Sequence, residues 1–391
     1  MPSLSRLELQ HFRSYRQASL QVEANRVIFV GANGAGKSNL LEAVELLGSL
    51  RSHRTASDGD LIQLDQTDGW IHGWIGTDGL EHIGLHLRQR GGRQGLRNQQ
   101  PLSRQMDLLG AFRCVCFSSL DLALVRGEPV LRRQWLDRVV VQLEPAYGDL
   151  LSRYGRLLRQ RSSLLRRHGG ACPHHHLTAL LDAYDQQMAN LGARLHRRRQ
   201  RALLRLNPLA RSWQKRLSAG QEVLSLLYRP GTDLPPDPAD RGNQALLAWQ
   251  GALQQQLAHQ RAVELRLGSC RVGPQRDEVV LQLNGQAARR YGSAGQQRCM
   301  VLALKMAEVD LVAQVSGEAP VLLLDDVLAE LDPDRQLLLL EAIGQQQQCL
   351  LSTTHLNHFI GAWRRDAQCI AVRQDGEGSM LSPLSVRLIQ G

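Results

Sequence analysis

Residues 27–38 read VIFVGANGAGKS. Four apolar residues run into Gly31-Ala32-Asn33-Gly34-Ala35-Gly36-Lys37-Ser38, a complete G-x-x-x-x-G-K-[ST] match, and Leu40, Val44 and Leu47 follow at helical spacing on one face. Strand, glycine-rich turn and helix in that order have a chemical purpose. The glycines let successive backbone N–H groups converge on an anion at a helix N-terminus; the lysine reaches the outer phosphates and the Ser38 hydroxyl suits Mg2+. The stretch predicts an α/β fold with a nucleotide-phosphate site at Gly31–Ser38.

A second apolar run, Val321-Leu322-Leu323-Leu324, ends in Asp325-Asp326. Four consecutive apolar residues fit a strand buried on both faces of a parallel sheet, which leaves the carboxylates at its C-terminal end, where such sheets bind ligands. Asp325 then suits the Mg2+ shell with Ser38, and Asp326 suits orienting or deprotonating an attacking water. Downstream, Ala329-Glu330-Leu331-Asp332 precedes a helix, and the strand Cys349–Ser352 runs into Thr353-Thr354-His355. A strand-end histidine there can hydrogen-bond the terminal phosphate or the water. Lys37, Asp325, Asp326 and His355 are therefore the candidate catalytic residues, with ATP and Mg2+ the expected cofactors.

Short alternating runs occupy Leu4 to about Phe117, among them 7–9, 69–75 and 82–87. From about Asp121 to Gly268 the pattern is helical, broken by the strand-like 222–228, and strands return after Gly273. One α/β domain from both chain ends (1–120 and 270–391) is expected, with a mainly helical domain (121–269) inserted between.

The 391 residues carry a net charge of +10, nearly all of its basic side chains arginine, which favours a polyanionic partner. Seven cysteines lie scattered with no Cys-x-x-Cys pair, fitting reduced thiols in a cytoplasm. No apolar run reaches the ~18 to 20 residues that cross a bilayer, and Met1–Arg6 lacks a signal peptide's apolar core. A cytoplasmic location is expected. The densest basic segments, 153–167 and 194–205, put Arg156, Arg159, Arg197, Arg198 and Arg199 forward as DNA contacts through the phosphate backbone. The run Cys172-Pro173-His174-His175-His176 matches no structural zinc spacing and reads as a loop.

The order of these motifs resembles the ABC-type ATPase head and, more narrowly, the RecF family of bacterial DNA replication and repair proteins. The resemblance rests on the glycine-rich loop with Asn39 after it, Gly127-Glu128-Pro129 with Arg132-Arg133 and Leu136-Asp137, Gly273–Glu278, Ser293-Ala294-Gly295-Gln296-Gln297-Arg298, and Leu324–Asp332. It implies an ABC-type P-loop head whose Ser293, Gly295 and Gln296, at a helix start, meet the γ-phosphate held by a second copy. It also implies an ATP-dependent homodimer acting at gapped or single-strand/double-strand DNA junctions, with RecO and RecR as partners that help load recombinase. The family's Pro-Glu-Asp-Leu run is reduced here to Asp121-Leu122, Gln275 replaces a histidine, and the glutamine that couples the lobes of ABC-type heads is unassigned. An SMC-type head carries a coiled coil of hundreds of residues with sustained heptads, and a transporter subunit needs no basic helical insertion of about 150 residues. The insertion length sets both alternatives second.

Overall fold

The apolar run ahead of the glycine-rich loop forms the strand Arg26–Val30, which has parallel neighbours on both edges. The computed structural model describes residues 3–55, 57–76, 79–168, 175–235, 243–344, 347–356, 366–376 and 378–384. In chain order the strands are β1 (Leu4–Phe12), β2 (Tyr15–Gln21), β3 (Arg26–Val30), β4 (Asp68–Ile75), β5 (Glu81–Arg88), β6 (Gln94–Arg97), β7 (Gln100–Pro101), β8 (Cys114–Ser118), β9 (Leu224–Arg229), β10 (Glu278–Leu283), β11 (Gln286–Ala287), β12 (Val321–Asp325), β13 (Cys349–Thr353), β14 (Ala367–Asp375) and β15 (Gly378–Pro383). The helices are α1 (Lys37–Ser49), α2 (Ala123–Arg126), α3 (Pro129–Leu143), α4 (Ala146–Arg167), α5 (His175–Leu217), α6 (Asn243–Leu267), α7 (Ala288–Tyr291), α8 (Ala294–Ser316) and α9 (Pro333–Ala342).

Two compact units divide the chain: Met1–Leu122 with Arg216–Gly220 and Ala294–Gly391, and Ala123–Lys215 with Gln221–Ser293. Residues 270–293, expected in the ATPase head, group with the second unit. The reason is strand pairing: β10 is antiparallel to β9, with Val280 opposite Leu227, and β11 pairs with β10.

The first unit holds two sheets. One has the order β15-β14-β3-β13-β12-β8, parallel except for β15; the other, β2-β1-β4-β5-β6-β7, is antiparallel. Sequence pattern follows burial. β8, β12 and β13 are buried along their whole length, as continuous apolar runs in a parallel sheet should be, whereas β4 alternates buried and half-buried residues like a one-sided antiparallel strand. Helix α1 packs on β4 and β5 and also on β8, β12 and β13, so Leu40, Leu41, Val44, Leu46 and Leu47 join the core formed with both sheets. With apolar surface worth about 25 cal/mol per Å2 buried, a helix covered on two sides is a fixed platform for the loop at its N-terminus.

Ion pairs sit inside the second unit. Asp277, fully buried, accepts from the Arg199 guanidinium (2.6 Å), the Tyr228 hydroxyl and the Gly231 N–H (2.8 Å), with His196 Nδ1 at 3.3 Å. Arg199 also grips Asp137 through two hydrogen bonds of 2.8 and 2.9 Å. Arg132 holds Glu278 in the same forked way, and Arg161 joins Asp185 and Glu264. Many of the motif residues behind the family resemblance thus lie in this interior network.

Candidate functional site

Because β3, β13 and β12 are parallel neighbours, their C-terminal ends share one edge, where the chain leaves as the Gly31 loop, Thr353-Thr354-His355 and Asp325-Asp326 respectively. The loop turns tightly into α1. A Cβ on Gly31 would lie 2.2 Å from the Val372 carbonyl oxygen of β14, and Gly36, at φ 110°, would place one 2.5 Å from Ser379 Oγ. Only glycine fits either position, the second also because its left-handed backbone penalises other residues.

Lys37 is buried, and its ammonium donates to the carbonyls of Gly31 and Ala32, each at 2.9 Å. Two of its three donors hold it against the loop; among the described residues the third takes no hydrogen-bond acceptor, which suits it chemically to an anion. Ala32, Asn33 and Gly34 are exposed at the loop's tip, while Ala35 and Gly36 are buried under it.

Ser38 and Asp325, 287 residues apart in sequence, meet: Ser38 Oγ donates to Asp325 Oδ1 at 2.7 Å. Ser352 on β13 donates to the same oxygen at 2.8 Å and its own oxygen accepts the Asp326 N–H at 2.9 Å. Ser352 escaped the sequence reading; its only signal was its place opposite Asp325 on the neighbouring strand. One hydroxyl and one carboxylate side by side are hard oxygen donors of the kind that bind Mg2+ with few protein ligands. The pair therefore fits the ion that the motifs imply.

Asp326 has φ 53°, a left-handed conformation that aspartate tolerates better than most residues. Burial pushes its carboxyl above the usual range and the neighbouring Asp325 adds to this, against the Lys37 charge. His355 is exposed two residues beyond β13, in a turn closed by Thr353 Oγ1 donating to the His355 carbonyl at 2.9 Å; the Thr353 carbonyl in turn accepts the Gly31 N–H. The side chain of Asn39 is engaged elsewhere: it donates to Ser14 Oγ (2.8 Å) and accepts from Arg54 (2.7 Å), tying the β1–β2 turn and the segment after α1 to the helix.

Ser293 is exposed immediately before α8, and Gly295 and Gln296 are in its first turn. Among the described residues, a Cβ on Gly295 would meet nothing within 4 Å. Farther along α8, Lys305 is buried and donates to the Cys116 carbonyl at 2.7 Å, with Asp121 Oδ1 at 3.1 Å; Asp121 Oδ2 accepts the Ser118 N–H. Asp121, the surviving acid of the reduced motif, thereby pins the end of β8, whose Ser118 lies in register with Asp325. Sequence reading missed this link between α8 and the strand ends because an isolated lysine in a helix carries no local signal.

The basic segments separate into two kinds. On α4, Arg153, Arg156, Arg159, Arg166 and Arg167 are exposed and fall within an arc of about 140° at roughly 100° per residue. Arg197 and Arg198 on α5 are half-buried, Arg198 paired with Glu144 at 2.8 Å. Arg199, expected on the surface, is 4% exposed and committed to Asp137 and Asp277, so it cannot contact DNA. Of the run 172–176, residues 172–174 lie outside the described residues.

Residues 3–76 match the model for the RecF/RecN/SMC N terminal domain. A "DNA replication and repair protein RecF" from Parasynechococcus marenigrum (strain WH8102) is 58% identical over 93% of this chain and 97% of its own length. The chain belongs to the RecF family. A second RecF, from Synechococcus sp. (strain CC9605), is 56% identical over 94% of this chain and 98% of its own. Among solved structures, the recombination mediator protein RecF with ATP, described within the RecFOR pathway, superposes with a TM-score of 0.86 at 26% identity, covering 98% of both chains. The Smc head of Pyrococcus furiosus, at TM-score 0.54 and 15% identity, shares the fold alone, over 100% of this chain and 98% of its own. The ABC-type head expected from the motifs is thus the fold of a RecF family member.

Proposed function

We propose that this chain is an ATP-dependent recombination mediator of DNA repair and replication, working as a nucleotide-gated clamp on DNA. The observation that carries it is the meeting of Ser38 and Asp325 at 2.7 Å beside the buried Lys37 ammonium. Family membership adds weight: RecF relatives are named for replication and repair, and one was solved with ATP in the RecFOR pathway.

The loop N–H groups and Lys37 hold the β and γ phosphates, with Gly31 to Ser38 wrapping them. Ser38 and Asp325 would hold Mg2+, which neutralises phosphate charge as hydrolysis proceeds. Asp326, its carboxyl raised by burial, accepts a proton from the attacking water, and His355 hydrogen-bonds the γ-phosphate or that water. A second copy closes the site with Ser293, Gly295 and Gln296, where the α8 N-terminus favours an anion. Hydrolysis reopens the pair and releases DNA. The exposed α4 arginines, chiefly Arg156 and Arg159, follow the phosphate backbone of gapped or junction DNA without reading sequence, joined by Arg197 and Arg198 of α5. RecO and RecR are the expected partners, and the cytoplasm the expected compartment; no helix among the described residues is long and apolar enough to cross a membrane.

The test is ATP turnover with and without DNA, alongside DNA binding across a salt series. Slow turnover that DNA stimulates, with binding that weakens steeply in salt, is expected. Turnover indifferent to DNA together with no salt-sensitive binding would overturn the proposal.

A further inference from the structure

Behind the nucleotide site, three donor groups from separate elements converge. Glu45 projects from α1, His53 from the segment that follows it and Cys116 from β8. One ligand atom from each lies within 4.8 Å of the others. His53 Nδ1 is 2.6 Å from Glu45 Oε2 and 3.9 Å from Cys116 Sγ. Around a tetrahedral Zn2+ with bonds of about 2.0–2.3 Å, ligand atoms stand roughly 3.3–3.7 Å apart, between those two separations. Small side-chain shifts bring all three into range.

The bland alternative is that Glu45 anchors the segment after α1, since it also accepts the His53 N–H at 3.1 Å. That leaves the thiol over. The side chains of Glu45 and His53 are only 7% and 9% exposed and Cys116 is 8% exposed, and among the described residues the thiol has only the long imidazole contact. Burial pushes the thiol well above its usual range, while His53 is raised because the Glu45 hydrogen bond and the Glu45, Asp325 and Asp121 charges outweigh its own burial. A dication joined by a carboxylate, a thiolate and a neutral imidazole would be electrically neutral as a set, the economical way to hold charge out of water.

We propose that Glu45, His53 and Cys116 form a binding site for one thiophilic divalent cation of the Zn2+ class, and that its occupation slows ATP turnover. Carboxylate, imidazole and thiolate together select such a cation over Mg2+ or Ca2+. Binding expels the thiol proton and the proton on Nδ1, so affinity rises with pH. The cation would staple the P-loop helix to β8, where Cys116 lies opposite Leu323, two residues before Asp325. The cation site stands independently of the ATPase proposal; only the effect on turnover rests on it.

The probe is Co2+, whose bond to a thiolate gives a charge-transfer absorption, titrated into the full chain carrying Cys172→Ser so that the Cys172–His176 run contributes no thiolate. One Co2+ per chain with that absorption is expected, competed away by Zn2+. Adding Cys116→Ser should abolish the absorption, and His53→Phe should weaken binding at least tenfold, with ATP binding confirming that each variant is folded. No charge-transfer absorption in the Cys172→Ser chain, or its persistence with Cys116→Ser, would overturn the site. In parallel, stoichiometric Zn2+ should lower turnover at least threefold in the Cys172→Ser chain and leave the added Cys116→Ser variant unaffected. Co2+ binding without a turnover effect would remove the functional half alone.

Discussion

Replacing Arg199 by methionine separates an interior arginine from a DNA contact. The guanidinium makes two bonds to Asp137, one to Asp277 at 2.6 Å and one to the Pro274 carbonyl at 2.7 Å. Methionine keeps most of the volume and none of the donors. Two carboxylates, with side chains 14% and 0% exposed, then lose their common cation. Removing one partner of a buried ion pair costs about 3–5 kcal/mol. At roughly 2–4 °C per kcal/mol for a unit of this size, the melting transition should fall by about 6–20 °C. The pH profile adds a sign. Burial raises the Asp277 carboxyl, but His196, Arg199 and the Tyr228 hydroxyl outweigh this and hold it below its usual value. That stabilisation is full above the unfolded carboxylate value of about 3.9 and is lost as pH falls through the lower folded value. Without Arg199, acid unfolding should therefore begin at higher pH. Calorimetry and DNA binding across a salt series read both sides: at a temperature where the variant is folded, its salt slope should match that of the wild type. A melting transition within about 2 °C of wild type, with the salt slope reduced by about 0.9, would show that Arg199 faces phosphate and refute its interior role.

The opposite result is expected for Arg156→Ala and Arg159→Ala, exposed on α4: stability within about 0.5 kcal/mol of wild type and a salt slope shallower by about 0.9 for each phosphate no longer neutralised. Lys37→Met should abolish ATP binding or hydrolysis with the fold intact, as read by nucleotide binding and circular dichroism. Asp326→Asn should cut turnover by about 100-fold or more, the scale of a missing general base, while ATP still binds.

Much of the head was legible in sequence because the central strands of its parallel sheet are buried on both faces. Val27–Val30 and Val321–Leu324 are continuous apolar runs, and each ends in the residues that carry the chemistry. Their meeting was not legible: Ser352 reaches Asp325 only through strand order, which no local pattern encodes. Charge density also misled. Arg199 lies at helical spacing from Leu195, Ala202 and Leu206, all buried, so its place on an apolar stripe outweighed the arginines adjacent to it. Residues 270–293 looked like a return to the head because they contain strands, yet β10 finds its partner in β9 of the second unit. Pairing partners are a tertiary choice that strand propensity leaves open.

The most direct test of nucleotide-gated closure is sedimentation of the Asp326→Asn chain, with and without Mg-ATP, beside the same chain carrying Ser293→Arg. A monomer that becomes a dimer with Mg-ATP is expected, and with Ser293→Arg a monomer throughout whose ATP affinity is within about threefold, under 1 kcal/mol. Mg-ATP that leaves the first chain monomeric, or a Ser293→Arg chain that dimerises as well as its parent, would contradict a site completed by a second copy.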